Sequence, residues 1–371
     1  WSYGVDEIAA ACRRSDIPVA FLPGDDQPDA ELAGMTTLDA NAAHRLWQYL
    51  VHGGVANAAG FLGFAGSLVG HASDWHEPAP LLRAGLYWPG AGDVTLEDLR
   101  AAWIDGAPTA ALVFYRALMQ AANLAPVDAL IAALQERGIN PLPVHAASLK
   151  DPVAAAIISE TFDAAPPDVI LNATGFALSA PGATTQRGPF TETDAPMLQV
   201  VFAGSDHDTW KTGANGLSAR DIAMNVALPE VDGRILARAV SFKGAAQRDA
   251  ATETDVVAYE PVPDRIDFTA DLAKSWARLR QTAIADQRVA IILANYPNRD
   301  GRIGNGVGLD TPAGVVTALT AMAQAGYRID GAPEDGDALV RRLQDGPTNA
   351  GAVARKIEES LPLPSYEIFF A

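Results

Sequence analysis

The sequence predicts an α/β fold built on parallel sheets, and three observations carry that expectation. Short apolar runs of strand length recur from Ala110 onward, each is followed by a stretch with helical spacing, and polar or glycine-bearing loops follow the apolar runs. Hydrophobic residues form 49% of the 371 and charged residues 19%, a balance that supports a large core and excludes a mostly disordered chain. The length sets an expectation of two or three domains.

Residues 4–14 carry helical spacing, and Ile17–Leu22 is a short apolar run closed by Pro23-Gly24-Asp25-Asp26, which predicts helix, buried strand and loop. Two helices are predicted over Asp39–Val51 and Val55–Val69, the second rich in Gly and Ala for close packing, and Leu86-Tyr87-Trp88 before Pro89-Gly90 predicts a strand and turn. From there the alternation is regular: strand Ala111–Tyr115, helix Pro126–Arg137, strand Pro141–Val144, helix Asp151–Phe162, strand Val169–Leu171, strand Leu198–Phe202. Such spacing implies right-handed parallel crossovers, with ligands expected at the carboxyl ends of the strands. Residues 205–265 are polar and irregular, with a helix expected around Leu272–Gln281. The pattern then restarts with a buried strand Val289–Ala294, a long Gly-rich loop Asn295–Asp310, a helix Pro312–Gly326, a strand Tyr327–Ile329 and a helix Asp337–Leu343. We read this as several Rossmann-like or periplasmic-binding-like lobes with parallel sheets and an irregular connecting segment. Residues 1–82 form an N-terminal α/β segment, 83–287 a middle lobe with the polar segment, and 288–371 the start of a second lobe, with a cleft expected between lobes.

Lys and Arg number 27 against 45 Asp and Glu, a formal charge of −18. A phosphate backbone is held mainly by cations that release its counterions, so this balance argues against a nucleic-acid partner, and no Lys/Arg run makes a compensating patch. The single Cys12 cannot form an internal disulfide or a thiolate zinc site alone, which suits a reducing compartment. No basic-then-apolar leader and no spanning apolar run predicts a membrane partner. The chain starts at Trp1 and stops at Phe369-Phe370-Ala371, an apolar tail poorly placed in water, so the sequence reads as an excerpt of a longer protein.

Three groups of residues could carry chemistry. The loop from Asn295 to Pro312 has glycines at 304, 306 and 308 that permit close backbone approach to an anion. It is neither a P-loop nor a dinucleotide fingerprint, and its plainer reading is a long loop with Thr311 capping a helix and Pro312 at the first helical position. In Pro229-Glu230-Val231-Asp232-Gly233-Arg234 two carboxylates stand two residues apart in a turn, able to supply a base or hold a hydrated cation, or else to serve as a turn and a solvated rim charge. Of the histidines, His71 and His76 are loosely spaced for a metal and His44 suits packing. His145 and His207 lie near strand ends, each alone in sequence.

The stretches Ala294–Pro312, Asn225–Ile235 and Leu171–Phe176, with Phe114-Tyr115-Arg116 and Ser241-Phe242-Lys243, resemble the large subunit of aerobic cobaltochelatases, the CobN type. That family is similar to the porphyrin-binding H subunit of magnesium chelatase, and its members are several times longer than this chain. The resemblance implies ATP-dependent insertion of Co²⁺ into hydrogenobyrinic acid a,c-diamide during cobalamin synthesis, in the cytoplasm. ATP and Mg²⁺ would be used by separate AAA+ type ATPase partner subunits, which fits the missing P-loop. Metallation strips water from Co²⁺ and removes protons from ring nitrogens, work suited to a carboxylate. Glu230 is the first choice for base and transient metal ligand, because the magnesium-chelatase relatives also carry a Pro-Glu-x-Asp-Gly segment, with Asp232 and His207 after it. Donors to the corrinoid's carboxylates and amides are expected from Arg116, Asn172, Thr174, Arg234, Lys243 and, in the glycine loop, Asn295, Arg299, Asn305 and Gly306. Arg and Lys at strand ends would then make a local positive site inside a negative envelope. The alternatives are a non-catalytic scaffold that docks the ATPase subunits, the magnesium-chelatase activity on a porphyrin, or an unrelated sugar- or nucleotide-binding module.

Overall fold

The computed structural model describes residues 4–180, 182, 188–190, 192–244, 247–296, 300–346 and 360–370, and the chain divides into two units, Trp1–Arg280 and Gln281–Ala371. The first unit opens with four helices: α1 (Val5–Arg14), α2 (Ala30–Met35), α3 (Ala40–His52) and α4 (Gly54–Leu68). Helices α3 and α4 share a core of Ala42, Leu46, Tyr49 and Phe64. The small residues of α4 let the partner approach: a Cβ on Gly60 would lie 2.6 Å from the Tyr49 ring. The expected strand Ile17–Leu22 does not form. Its backbone N–H groups at Val19 and Phe21 donate to the hydroxyls of Thr37 and Thr36 (2.9 and 3.0 Å), so side chains take the place of a ladder.

The sheet follows in order. Strands β1 (Ala84–Trp88) and β2 (Gly92–Val94) lead to α5 (Leu96–Ala102), β3 (Thr109–Tyr115), α6 (Arg116–Gln120), α7 (Ala125–Glu136), β4 (Asn140–Ala146), α8 (Pro152–Ala164), β5 (Val169–Asn172) and β6 (Met197–Asp206). The polar stretch then holds α9 (His207–Thr212), α10 (Ala219–Ile222), a π-helical turn over Ala223–Ala227, α11 (Leu228–Val231), β7 (Ile235–Lys243), a small hairpin of β8 (Gln247–Asp249) and β9 (Thr254–Val256), β10 (Tyr259–Pro261) and α12 (Pro263–Gln281). The segment expected to be irregular thus supplies a further parallel strand, and α12 starts nine residues earlier than its apolar spacing suggested. Eight strands form one sheet in the order β10-β7-β6-β5-β3-β4-β1-β2, with β7, β6, β5, β3 and β4 parallel and the outer strands antiparallel.

The chain steps from β3 to β4 in one direction and then returns past β3 to β5. A right-handed crossover that reverses direction must change faces. Accordingly α7 packs with Leu112, Phe114 and Leu171 on one face, joined by α12, while α8 packs with Ala111, Val113 and Ile170 on the other. Both faces of β3 are covered, which explains why it reads as a continuous apolar run. Each buried Leu or Ile contributes roughly 1.5–3 kcal/mol relative to exposure. Strand β4 carries Pro141 and Pro143 although it lies inside the sheet. The Asn140 N–H points to the β3 side, donating to the Pro108 carbonyl (2.8 Å), so the prolines withdraw donors only from the β1 side. There β1 pairs only with residues 144–146, and the Pro141 carbonyl accepts from the Trp103 indole (3.0 Å).

In the second unit the described helices are α13 (Thr311–Gln324), α14 (Gly336–Asp345) and α15 (Leu363–Phe370). The cap of α13 is Asp310, whose side chain accepts from the Ala313 N–H (3.1 Å), and not Thr311, which with Pro312 lies inside the first turn. The expected strands Val289–Ala294 and Tyr327–Ile329 are absent. The first run is apolar and the second alternates Tyr327 and Ile329 about Arg328, but no described segment offers either a ladder, and Ile292 is 92% exposed.

Candidate functional site

The two directions of winding part between β3 and β5, so the loops that leave their carboxyl ends diverge and open a crevice. Two cavities lie there. The larger, about 410 Å³, is walled by Tyr115 at the end of β3, Ala173 and Phe176 after β5, and Phe202, Gly204 and Ser205 on β6. Ser218, Arg220, Asp221, Met224 and Asn225 around α10 and the π turn, with Leu118, Lys243 and Tyr259, complete it. The smaller, about 130 Å³, is lined by Tyr115, by Ser148, Leu149 and Lys150 after β4, by residues 174–178 after β5, and by Arg234. Tyr115 and Phe176 belong to both walls.

A buried polar network fixes the loop after β5. The Asn172 amide donates to Gln199 Oε1 (3.0 Å) and to the Thr174 carbonyl (3.2 Å), which also accepts from Gln199 Nε2 (2.9 Å) and Arg234 Nη1 (3.2 Å). Arg234 Nη2 donates to Asp232 Oδ2 at 3.0 Å, both side chains being 1% exposed. The two Asp232 oxygens further accept from the backbone N–H groups of Leu178 (2.8 Å) and Ser179 (2.9 Å). Burial lowers the Arg234 guanidinium from its ordinary value, and the Asp232 charge opposes that shift. Pinned at both ends, the loop holds Phe176 at φ 62°, a left-handed conformation costly for an aromatic residue, with its N–H donating to the Met224 carbonyl (2.8 Å) of the π turn. The adjacent Gly175 is required by proximity: an added Cβ would lie 2.9 Å from Asn225 Oδ1 and 3.1 Å from the Met224 carbonyl oxygen.

Electrostatics favour anions in this crevice. Arg220 and Lys243 border the larger cavity and neither forms an ion pair among the described residues. Asp221, 5% exposed, is engaged with the Gly204 N–H (3.0 Å) and the Ser218 hydroxyl (2.7 Å). Burial raises Tyr115 and Tyr259 above the ordinary phenol value, so both present neutral hydroxyls, that of Tyr115 donating to the Gly175 carbonyl (3.1 Å). Ser205, on the cavity wall, has its Oγ buried with no partner among the described residues.

The structure brings together Asn172, Thr174, Asp232 and Arg234, and places Lys243 at the larger cavity. It does not bring the other expected residues to either wall. Arg116 donates to the carbonyls of Leu81 and Leu82 (both 2.9 Å) and so anchors the approach to β1. His207 opens α9 and packs on Phe242 and Trp210, with ring centroids 5.3 and 5.6 Å away. Glu230 stands exposed on α11 with no ion pair among the described residues. His145 is fully buried and its Nε2 meets Asp93 (2.8 Å). In the second unit Asn295 bridges Ile303, Gly306 bridges Leu309, and the Asn305 N–H donates to the Arg302 carbonyl (3.0 Å); Arg299 lies outside the described residues. Among the described residues no group of three or more His, Cys, Asp or Glu side chains is arranged to hold a metal ion. Sequence reasoning passed over Lys150, Arg220 and Asp221, and named Phe176 and Asn225 only as ends of resembling stretches. A signal existed for two of them, since Ser218-x-x-Asp221 is a helix-capping pattern that marks a turn at the head of α10.

Fold and site define the class: a doubly wound α/β protein whose crevice lies at the switch point, with Arg220 and Lys243 on its wall. The CobN/Magnesium Chelatase family model matches residues 47–371, and the chain belongs to that family. It is 48% identical over 377 residues to the aerobic cobaltochelatase subunit CobN of Sinorhizobium sp, covering 99% of this chain and 30% of that protein. With the CobN subunit of Pseudomonas aeruginosa it shares 44% over 374 residues, covering 100% of this chain and again 30% of the relative. Among solved structures it is similar to the catalytic subunit of cobaltochelatase from Mycobacterium tuberculosis, with a TM-score of 0.69 and 33% identity over 93% of this chain and 28% of the other. The chain therefore spans under a third of the length of these relatives. Among the described residues no helix is long and apolar enough to cross a membrane.

Proposed function

We propose that this chain is the part of a cobaltochelatase large subunit that helps hold the tetrapyrrole, in a cytoplasmic complex that inserts Co²⁺ into hydrogenobyrinic acid a,c-diamide with ATP and Mg²⁺ used by AAA+ type partner subunits. The observation that carries the reading is the larger cavity, which sets two cations, Arg220 and Lys243, in no ion pair among the described residues, beside aromatic walls in a chain of charge −18. A polycarboxylated ring needs both: apolar faces for the macrocycle and charge-assisted donors for its side arms. The kinship to subunits named for cobalt at 44–48% identity favours a corrinoid over a porphyrin.

In this reading the chain's residues divide the work. Tyr115, Phe176 and Tyr259 exclude water from one face of the ring, Arg220 and Lys243 hold side-arm carboxylates, and Asn172, Thr174, Asp232 and Arg234 keep the loop after β5 in place. Glu230, exposed and in no ion pair among the described residues, is the carboxylate proposed to accept ring protons and to ligate Co²⁺ in transit, with His207 after it, while Asp232, buried and bound to Arg234, acts only through the loop it holds. Arg116, Asn295, Arg299, Asn305 and Gly306 are proposed to act from outside these cavities, through the anchoring of the β1 approach and through the glycine loop. Titration of the full-length subunit with the corrinoid, followed by its absorbance, tests the assignment. Replacing both cations, Arg220→Ala with Lys243→Ala, should weaken binding at least about tenfold, as expected for loss of charge-assisted hydrogen bonds. Unchanged affinity in the double variant overturns the reading.

A further inference from the structure

The smaller cavity has a use of its own. It holds about 130 Å³, the size of a side arm and not of a ring, and it adjoins the larger cavity across the shared residues Tyr115 and Phe176. Two cationic side chains, Arg234 and Lys150, belong to its lining. Arg234 is 4% exposed, and while its terminal nitrogens serve Asp232, Thr174 and Gln199, its Nε–H is buried with no partner among the described residues. A buried donor left unpaired costs stability, and this one is covered by protein atoms, so a ligand oxygen pairs with it only once the lining shifts slightly. Lys150 lies on the lining with its ammonium in no ion pair among the described residues. Since Asp232 compensates the charge of Arg234, the net positive charge of this cavity comes from Lys150.

We propose that this cavity is a subsite for one carboxylate arm of the ligand whose ring lies in the larger cavity, with Lys150 supplying the charge and Arg234 Nε–H the directed hydrogen bond. Phe176, held in its left-handed conformation between the two cavities, separates ring from arm. The subsite rests on the reading of the larger cavity as a tetrapyrrole site, and its consequence is selectivity: an arm that is a free carboxylate is preferred to the same arm as an ester.

The test uses the full-length subunit titrated with hydrogenobyrinic acid a,c-diamide and with its peripheral methyl esters. Wild type should favour the acid. Lys150→Met should bind the acid about tenfold more weakly and the esters nearly as before, as for loss of one charge-assisted contact, and Lys150→Arg should restore the preference. Lys150 is exposed on a loop, so these variants keep the fold. If wild type binds the acid and Lys150→Met leaves both affinities unchanged, the subsite is overturned while the larger-cavity reading stands. If wild type binds neither ligand, the larger-cavity reading itself fails.

Discussion

Two apolar runs of similar composition meet opposite fates. Val169-Ile170-Leu171 lies fully buried in β5 between β3 and β6, whereas in Val289-Ala290-Ile291-Ile292-Leu293 the residues Val289, Ile291 and Ile292 are 56, 43 and 92% exposed and no described strand pairs with them. Composition alone therefore does not make a strand. The backbone of an apolar run must also find donors and acceptors, and β5 finds them on both edges while the later run finds none among the described residues. The same contrast bears on the site, because β5 delivers the loop with Thr174, Gly175 and Phe176 to the crevice.

The largest expected effect breaks what holds that loop. Arg234→Met leaves Asp232 a buried charge without its cation, and removal of one partner of a buried pair costs about 3–5 kcal/mol. Thermal unfolding should show a drop of several degrees or more, with corrinoid affinity falling alongside; an unchanged transition would mean that the pair does not brace the loop. Next comes a matched pair of truncations that sets the two runs against each other. Leu171→Ala, at a position with 0% exposure, should cost about 2–5 kcal/mol, whereas Ile292→Ala should change the chain's stability by less than about 0.5 kcal/mol. Equal losses in denaturant unfolding would erase the contrast.

The smallest effect lies at α8, the helix that covers β5. Asp151 caps it, accepting from the Ala154 N–H (2.9 Å) and pairing with Arg83 (2.6 Å), and these contacts, the backbone one first, hold its carboxyl below the ordinary value. A lowered folded value means that this stabilisation is present above the usual carboxylate range and is lost as pH falls through the folded value. Asp151→Asn keeps a capping side chain but removes the titration. It should cost under about 1 kcal/mol at pH 7, since Arg83 is half exposed, and should flatten the acid limb of a stability-against-pH curve. An acid limb as steep as in wild type would place the titrating group elsewhere.

The parts of the fold legible beforehand were those whose burial is two-sided. Ala111–Tyr115, Val169–Leu171 and Leu198–Phe202 announce themselves because both faces of their strands are covered, and the helices α7 and α8 because one face packs on the sheet. Strand β7 escaped notice because its first residues, Ile235 and Leu236, are exposed and its run is broken by Arg238. Of the site, the motif around Glu230–Arg234 and the Asn172-x-Thr174 loop drew attention by residue type, yet which carboxylate was free and which was committed did not follow from spacing. Asp232 proved to be bound to Arg234 and two backbone N–H groups, and Glu230 to be exposed.

By itself, then, the sequence determined the α/β class and the family resemblance of its loops, because periodicity and turn chemistry are local properties. Tertiary structure decided which apolar runs found partners and which charges were spent on one another. It set Arg234 against Asp232 and left Arg220, Lys243 and Lys150 in no ion pair among the described residues, because pairing depends on residues that meet only when the sheet has formed.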